Sequence, residues 1–289
     1  MKKILLQLDT DEHPSPFDAI VAYDAGVDVV LPYPGVTPPT VRKLVQGAFF
    51  TRGVGDLATI AVWIGGSSVP LGEEILGQVQ DACFGPFRVS IMLDTNGCNT
   101  TAGTAIAMIG KARDLTNRRA VIVGAGPVGL RSATLLIAQG CEVTVCGIPP
   151  EVFGADRPYR SPAGLAIAKR MGLHVVEPAD RAGLAAVLQD AWIVLCAGPS
   201  GIPILREEDW LEHPAIEVLA DYNAAEPLGI EGVKATDALV ERNGKLVLGA
   251  LGVGELKMRV HKACVRRLFE RNDLVLDVDG VYAVAAELA

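Results

Sequence analysis

The sequence predicts two α/β domains with a cleft between them. Three observations carry the prediction. Short apolar runs rich in Val, Ile and Leu alternate with amphipathic segments along nearly the whole chain, the pattern of parallel strands covered by helices on both faces. A polar stretch, Asp114–Arg118, separates one series of such units from a second. The chain has 289 residues, half of them hydrophobic and 21% charged, which is long for one core and enough for two.

In the first series the pattern predicts a strand at Lys3–Leu8, a helix at Pro16–Ala25, a strand at Asp28–Pro32 and a helix at Pro38–Phe50. A strand at Thr59–Ile64, a helix at Leu71–Cys83, a strand at Arg88–Leu93 and a helix at Thr100–Arg113 complete it. The second series opens with a strand at Ala120–Val123, a helix at Val128–Gln139 and a strand at Glu142–Cys146. The Gly/Pro/Arg-containing loop Gly147–Ser161 precedes a helix at Pro162–Met171. Further strands fall at Val175–Val176, Trp192–Cys196, Ile216–Ala220 and Leu246–Leu248, and Leu256–Phe269 and Asp279–Leu288 read as helices. The expected division is 1–110 and 111–258, with the helices of 259–289 packing back on the first domain.

The formal net charge of -8 argues against a nucleic-acid partner, which demands a basic face. No segment approaches the roughly 18 apolar residues of a membrane span. The apolar start Ile4–Leu8 is too short for a signal peptide and runs into Asp9, Asp11 and Glu12. Six cysteines without C-x-x-C spacing read as reduced thiols, and no metal-ligand spacing appears. The expectation is a cytoplasmic protein without metal, nucleic-acid or membrane partners.

The most specific local pattern is Gly124-Ala125-Gly126-Pro127-Val128-Gly129, which follows the strand Ala120–Val123 and opens a helix. That context predicts a Rossmann-type dinucleotide site. Gly124 permits the tight turn, Gly126 lets backbone approach a pyrophosphate, and Gly129 lets helix and strand pack closely. Pro127 suits a first helical turn, and free N–H groups there attract phosphate. The second strand ends in Cys146-Gly147-Ile148, with no acid for a ribose hydroxyl, so NADP is expected over NAD. Arg157 or Arg160 would then meet the 2′-phosphate. Loops after later strands, containing Ala197 and Gly198, Asn223, and Ala250 and Gly252, are expected to line the rest of the cofactor.

Ligands in parallel sheets bind beyond the carboxyl ends of strands. In the first domain those ends carry Asp9-Thr10-Asp11, Gly65-Gly66-Ser67 and Asp94-Thr95-Asn96-Gly97, with Asp18 in the first turn of a helix. Asp18 and Asp94 are expected to face a ligand, beyond favouring a helix dipole or capping a turn. Lys257 stands at a helix start, where a cation opposes the dipole, and so calls for another reason to be there. His261 lies one turn on and is expected to be structural.

These stretches resemble the NAD(P)-dependent methylene-tetrahydromethanopterin dehydrogenases of one-carbon metabolism. The resemblance runs through Gln7–Asp11, Pro14–Asp18, Ala22–Gly26, Thr51–Gly53, Gly85–Ser90, Leu93–Gly97 and Asn99–Ala102. It continues through Gly126–Gly129, Asp221–Ala224, Pro227–Ile230, Gly249–Gly252, Gly254–Lys257 and His261, and so spans most of the chain. One departure is that relatives preferring NADP carry Arg after the Cys-Gly of the second strand, where this chain has Ile148-Pro149-Pro150.

The resemblance implies oxidation of a methylene bridge between two pterin nitrogens to a methenyl cation, with hydride passing to the nicotinamide. Nitrogen lone pairs expel the hydride, so no base is required, and the site must align donor with acceptor. It also implies a reduced pterin substrate; the first domain is expected to bind it, Lys257, Asp94 and Asp18 are the expected catalytic set, and a homo-oligomer is expected. The alternatives are the same reaction on methylene-tetrahydrofolate, a shikimate- or amino-acid-type dehydrogenase, and a dinucleotide-sensing regulator.

Overall fold

The computed structural model describes residues 1–153 and 163–289. In chain order the elements are β1 (Ile4–Asp9), α1 (Pro16–Asp24), β2 (Val29–Tyr33), α2 (Pro38–Phe49), β3 (Ile60–Gly65), α3 (Val69–Ala82), β4 (Ser90–Leu93) and α4 (Cys98–Ala112). They continue as β5 (Arg119–Val123), α5 (Pro127–Ala138), β6 (Glu142–Cys146), α6 (Ala163–Arg170), β7 (His174–Val176), α7 (Arg181–Leu188), β8 (Ile193–Cys196) and α8 (Glu207–Trp210). The last are β9 (Val218–Asp221), β10 (Ala238–Arg242), β11 (Lys245–Gly249), α9 (Gly254–Arg267), β12 (Val275–Leu276) and α10 (Val278–Leu288). Among the described residues, no helix is long and apolar enough to cross a membrane.

The chain divides into two compact units: residues 1–100 with 256–288, and residues 101–255 with Ala289. The first holds a parallel sheet in the order β12-β4-β3-β1-β2. β3 is buried at every position, as a central strand between two helix layers must be. Leu6 and Leu8 of β1 and Ile64 of β3 pack with Val41, Val45 and Phe49 of α2 and with Ile75 and Val79 of α3. From β1 the chain steps to β2 on one side and then to β3 on the other. The direction of winding therefore reverses between β1 and β3, opening a crevice beyond Asp9 and Gly65, which are register partners.

The second unit has the order β10-β11-β9-β8-β5-β6-β7, parallel except for the β10–β11 hairpin. Its winding reverses between β5 and β8, which end at Val123 and Cys196. One core cluster joins Val121, Val194 and Leu219 of the sheet to Leu184 and Leu188 of α7 and to Trp210 of α8.

Most predicted elements occur within a few residues of their expected bounds. Four others lie in stretches the hydrophobic pattern left unassigned. α7 and α8 are too short for a periodic stripe, although Asp180 marks the start of α7, its carboxylate accepting the Gly183 N–H at 2.7 Å. β12 is only two residues, paired with the distant β4. β10 was legible: Asn243-Gly244, both at positive φ, form the two-residue turn that joins it to β11.

Candidate functional sites

In the second unit the turn after β5 has the geometry its glycines demand. Gly124 has φ +93°, and its N–H donates to the Cys146 carbonyl at 2.8 Å. A Cβ on Gly124 would lie 2.7 Å from the Gly198 nitrogen, and one on Gly126 would lie 2.9 Å from the Ala197 oxygen. A Cβ on Gly129 would meet the Ala197 side chain at 2.7 Å. The bare turn thus packs against Ala197 and Gly198, beyond the end of β8. Gly126 caps α5, Pro127 takes its first position, and Val128 follows half-buried. Backbone donors at this helix start, with no side chain in the way, fit a dinucleotide pyrophosphate.

The other expected cofactor residues divide. Asn223 is buried beyond β9, where Asp221 accepts its backbone N–H at 2.9 Å, and its side-chain Nδ2 has no hydrogen-bond partner. That amide, which also neighbours the Asp221 carboxylate, has a donor to offer a cofactor oxygen. Gly198 and Gly252 have packing reasons to be glycine: a Cβ would meet Ile204 Cδ1 at 2.2 Å and the Asp237 oxygen at 1.8 Å respectively. Ala250 is half-buried in the turn between β11 and α9. Arg157 and Arg160 lie outside the described residues.

In the first unit a cavity of about 330 Å³ opens at the crevice beyond β1 and β3, and Phe17, Asp18, Asp94, Asn96, Lys257 and His261 are among its lining residues. The three residues expected to be catalytic therefore share one pocket. Its construction begins with α1, which Ser15 starts by accepting the Asp18 N–H, with Pro16 in the first turn. This places Phe17 at the rim and Asp18 inside. Asp9, fully buried beneath them, accepts the N–H groups of Asp11 and Ser15, each at 2.9 Å.

Asp94 both caps a helix and lines the pocket. One carboxylate oxygen accepts the N–H groups of Asn99 and Thr100 at the start of α4, at 2.9 and 3.0 Å. The other accepts the Thr100 hydroxyl at 2.6 Å and His261 Nε2 at 2.7 Å. Burial alone would raise this carboxyl. The hydrogen bond and charge of His261, the charge of Lys257 and the Thr100 hydroxyl outweigh burial and hold it below its ordinary value.

His261, expected to be structural, lines this pocket as part of its wall. Its ring contacts Phe17 edge-on at 5.5 Å and Trp63 at 5.9 Å, and its Nδ1 is buried without a partner. Its spacing from Lys257, one helical turn, was the available signal.

Lys257 is half-buried in the fourth position of α9, with Nζ 3.4 Å from the Gly97 carbonyl. Gly97 has φ +59°, and a Cβ there would stand 3.1 Å from that Nζ, so the glycine gives the lysine room. Burial lowers the Lys257 pKa against the pull of Asp94, Cys98 and Asp18. Asp18 moves the other way: burial, then the charges of Asp94 and Asp9, push it up to about 7, against the Ser15 hydrogen bond and Lys257. A lysine shifted down and a carboxyl shifted up in one pocket mark a candidate functional site.

A doubly wound unit bearing a glycine turn for a dinucleotide, and a companion α/β unit with a charged pocket at its own reversal point, define a nicotinamide-dependent dehydrogenase. The family model described as methylene-tetrahydromethanopterin dehydrogenase, N-terminal, matches residues 16–96, and one for putative NAD(P)-binding matches residues 112–201. Two proteins of Methylorubrum extorquens are similar over the whole chain. Bifunctional protein MdtA is 42% identical, and an NAD(P)-dependent methylenetetrahydromethanopterin dehydrogenase is 31% identical; each alignment covers 100% of this chain and 99% of the relative. The chain belongs to the methylene-tetrahydromethanopterin dehydrogenase family.

Among solved structures, shikimate 5-dehydrogenase from Thermus thermophilus shares the fold with a TM-score of 0.52 and 20% identity, covering 100% of both chains. The N5,N10-methylenetetrahydrofolate dehydrogenase-cyclohydrolase of Trypanosoma brucei shares it with a TM-score of 0.50 and 14% identity, covering 93% of this chain and 86% of that one.

Proposed function

We propose that the protein oxidises 5,10-methylene-tetrahydromethanopterin to the 5,10-methenyl cation, with NADP preferred to NAD as hydride acceptor. The observation that carries this reading is the gathering of Asp18, Asp94 and Lys257 in one pocket at the reversal point of the first unit. On this reading the first unit is the pterin domain, and the second holds the dinucleotide through Gly124, Gly126, Pro127, Val128 and Gly129, with Asn223 further along. Arg157 remains the proposed partner of the 2′-phosphate. The bound dinucleotide supplies the hydride acceptor at its nicotinamide ring.

The protein's own task is orientation and charge. Asp94, held ionised by its hydrogen bonds, offers a fixed negative charge to the cation as it develops. Asp18, titrating near neutrality, can exchange hydrogen bonds with the aminopyrimidine of the pterin. A charged ammonium beside the reacting carbon would oppose the reaction. Lys257 therefore donates to a pterin oxygen or nitrogen away from that carbon.

Steady-state turnover with the methylene forms of tetrahydromethanopterin and tetrahydrofolate, each with NADP and NAD, tests the proposal. Methenyl product is expected with the methanopterin. A higher kcat/KM for the folate, or no turnover with either pterin, overturns the substrate assignment.

A further inference from the structure

A doubly wound sheet places the ribose that distinguishes NAD from NADP at the carboxyl end of the strand after the glycine turn. Here that strand is β6, and its end carries Cys146 and Gly147 with no acid. The neighbouring strand supplies one. β7 runs parallel to β6 with Val176 opposite Cys146, and the Gly147 N–H donates to the Val176 carbonyl at 2.8 Å. The next residue, Glu177, lies directly against Gly147: a Cβ on the glycine would sit 3.5 Å from both Cα and Cγ of Glu177. A carboxylate thus reaches, from one strand over, the edge where an NAD site carries its acid.

That carboxylate is engaged. Lys169 Nζ, from α6, donates to Glu177 Oε1 at 2.7 Å, and both side chains are well exposed. A bare carboxylate accepts hydrogen bonds from ribose hydroxyls and repels a 2′-phosphate. An ammonium bound to it cancels the repulsion. We propose that Glu177 reads the 2′ position of the adenosine ribose and that Lys169, by holding its carboxylate, makes a 2′-phosphate acceptable there. This inference rests on the dinucleotide site assigned to the second unit, and its direction on the NADP preference proposed above.

Calorimetric titration of the full-length protein with NADP and with NAD reads the pair without depending on turnover. Lys169→Met leaves Glu177 bare and is expected to lower the NADP-to-NAD affinity ratio by roughly tenfold, the scale of one unscreened charge near a phosphate. Glu177→Gln is expected to raise that ratio by a similar factor, chiefly by weakening NAD. The double variant should resemble Glu177→Gln, because the lysine acts through the glutamate. Melting temperatures should stay near that of the parent, as an exposed ion pair adds little stability. Ratios within twofold of the parent in both single variants overturn the proposal and leave an ordinary surface pair. A parent that prefers NAD overturns the NADP reading instead, while the shifts between variants still test Glu177. No binding of either dinucleotide would overturn both.

Discussion

The two reversal points use opposite means. In the second unit, three glycines strip side chains from the turn after β5, which leaves backbone N–H groups and a helix start open to the proposed dinucleotide. No group that titrates near neutrality takes part in that turn, and its affinity for phosphate should depend weakly on pH. In the first unit the corresponding edge is crowded with charge: Asp9 and Asp94 buried, Asp18 and Lys257 half-buried and shifted toward each other in pKa. A pyrophosphate keeps its charge through the reaction, so fixed dipoles are enough. On the proposed reaction the pterin becomes a cation, and that developing charge calls for a carboxylate already in place to meet it.

The sharpest break in this comparison comes from Lys257. Replacing it by Met should cost roughly a hundredfold or more in kcat/KM, the scale of a lost donor in a preorganised site. Dinucleotide affinity, measured by titration, should stay nearly unchanged. If the lysine titrates in the working range, the parent's pH–rate profile has a limb that the variant lacks. Near-normal activity of the variant at every pH would return Lys257 to the role of an ordinary lysine.

The mirror experiment is Gly126→Val. Its Cβ would stand 2.9 Å from the Ala197 oxygen, a backbone atom that cannot simply swing aside. Dinucleotide affinity should fall about tenfold or more as the turn shifts away from the pyrophosphate. Overpacking should cost about 1–3 kcal/mol of stability, leaving a folded protein with a cooperative thermal transition. A folded variant with parental affinity would remove the pyrophosphate from this turn.

The two sites also differed in how far the sequence disclosed them. The glycine turn is a local demand: six consecutive residues must adopt one backbone path, and each departure from ordinary composition marks it. The charged pocket is assembled from α1, the β4–α4 junction and α9, and the Asp94–His261 pair joins residues 167 apart in sequence. Strand-end reasoning reached Asp94 and the dipole argument reached Lys257, but nothing in a lone histidine announces a buried carboxylate partner. The nearness of Glu177 to the end of β6 was hidden for a similar reason. The expected acid was sought on β6, whereas register, which composition does not specify, brings one from β7.

A smaller effect is expected at His261. His261→Phe keeps an aromatic ring between Phe17 and Trp63 but removes the donor to Asp94. The buried carboxylate then lacks one of its hydrogen bonds, a loss of about 1–3 kcal/mol. Chemical denaturation should show a lower midpoint at an unchanged slope. A parental midpoint would mean that the remaining donors, the Asn99 and Thr100 N–H groups at the α4 start and the Thr100 hydroxyl, satisfy Asp94 by themselves.

The smallest effect separates the two units by pH. Asp18 titrates near 3.8 in the unfolded chain and at about 7 when folded. Between those values the folded protein retains a proton that the unfolded chain has released, so this group makes stability fall as pH rises. The penalty is absent below about pH 4 and complete above about pH 7. Asp18 is half-buried, and solvent screening reduces the penalty to about 1–2 kcal/mol. Asp18→Asn removes the ionisation. Its melting temperature relative to the parent should therefore rise from pH 4 to pH 8 by about 2–8 °C, given roughly 2–4 °C per kcal/mol for a chain of this size. Asp9 and Asp94 drive the effect by repulsion and Lys257 opposes it. A parent that instead gains stability over the variant toward pH 8 would mean that the attraction to Lys257 exceeds burial and repulsion together. The pocket would then hold a plain ion pair.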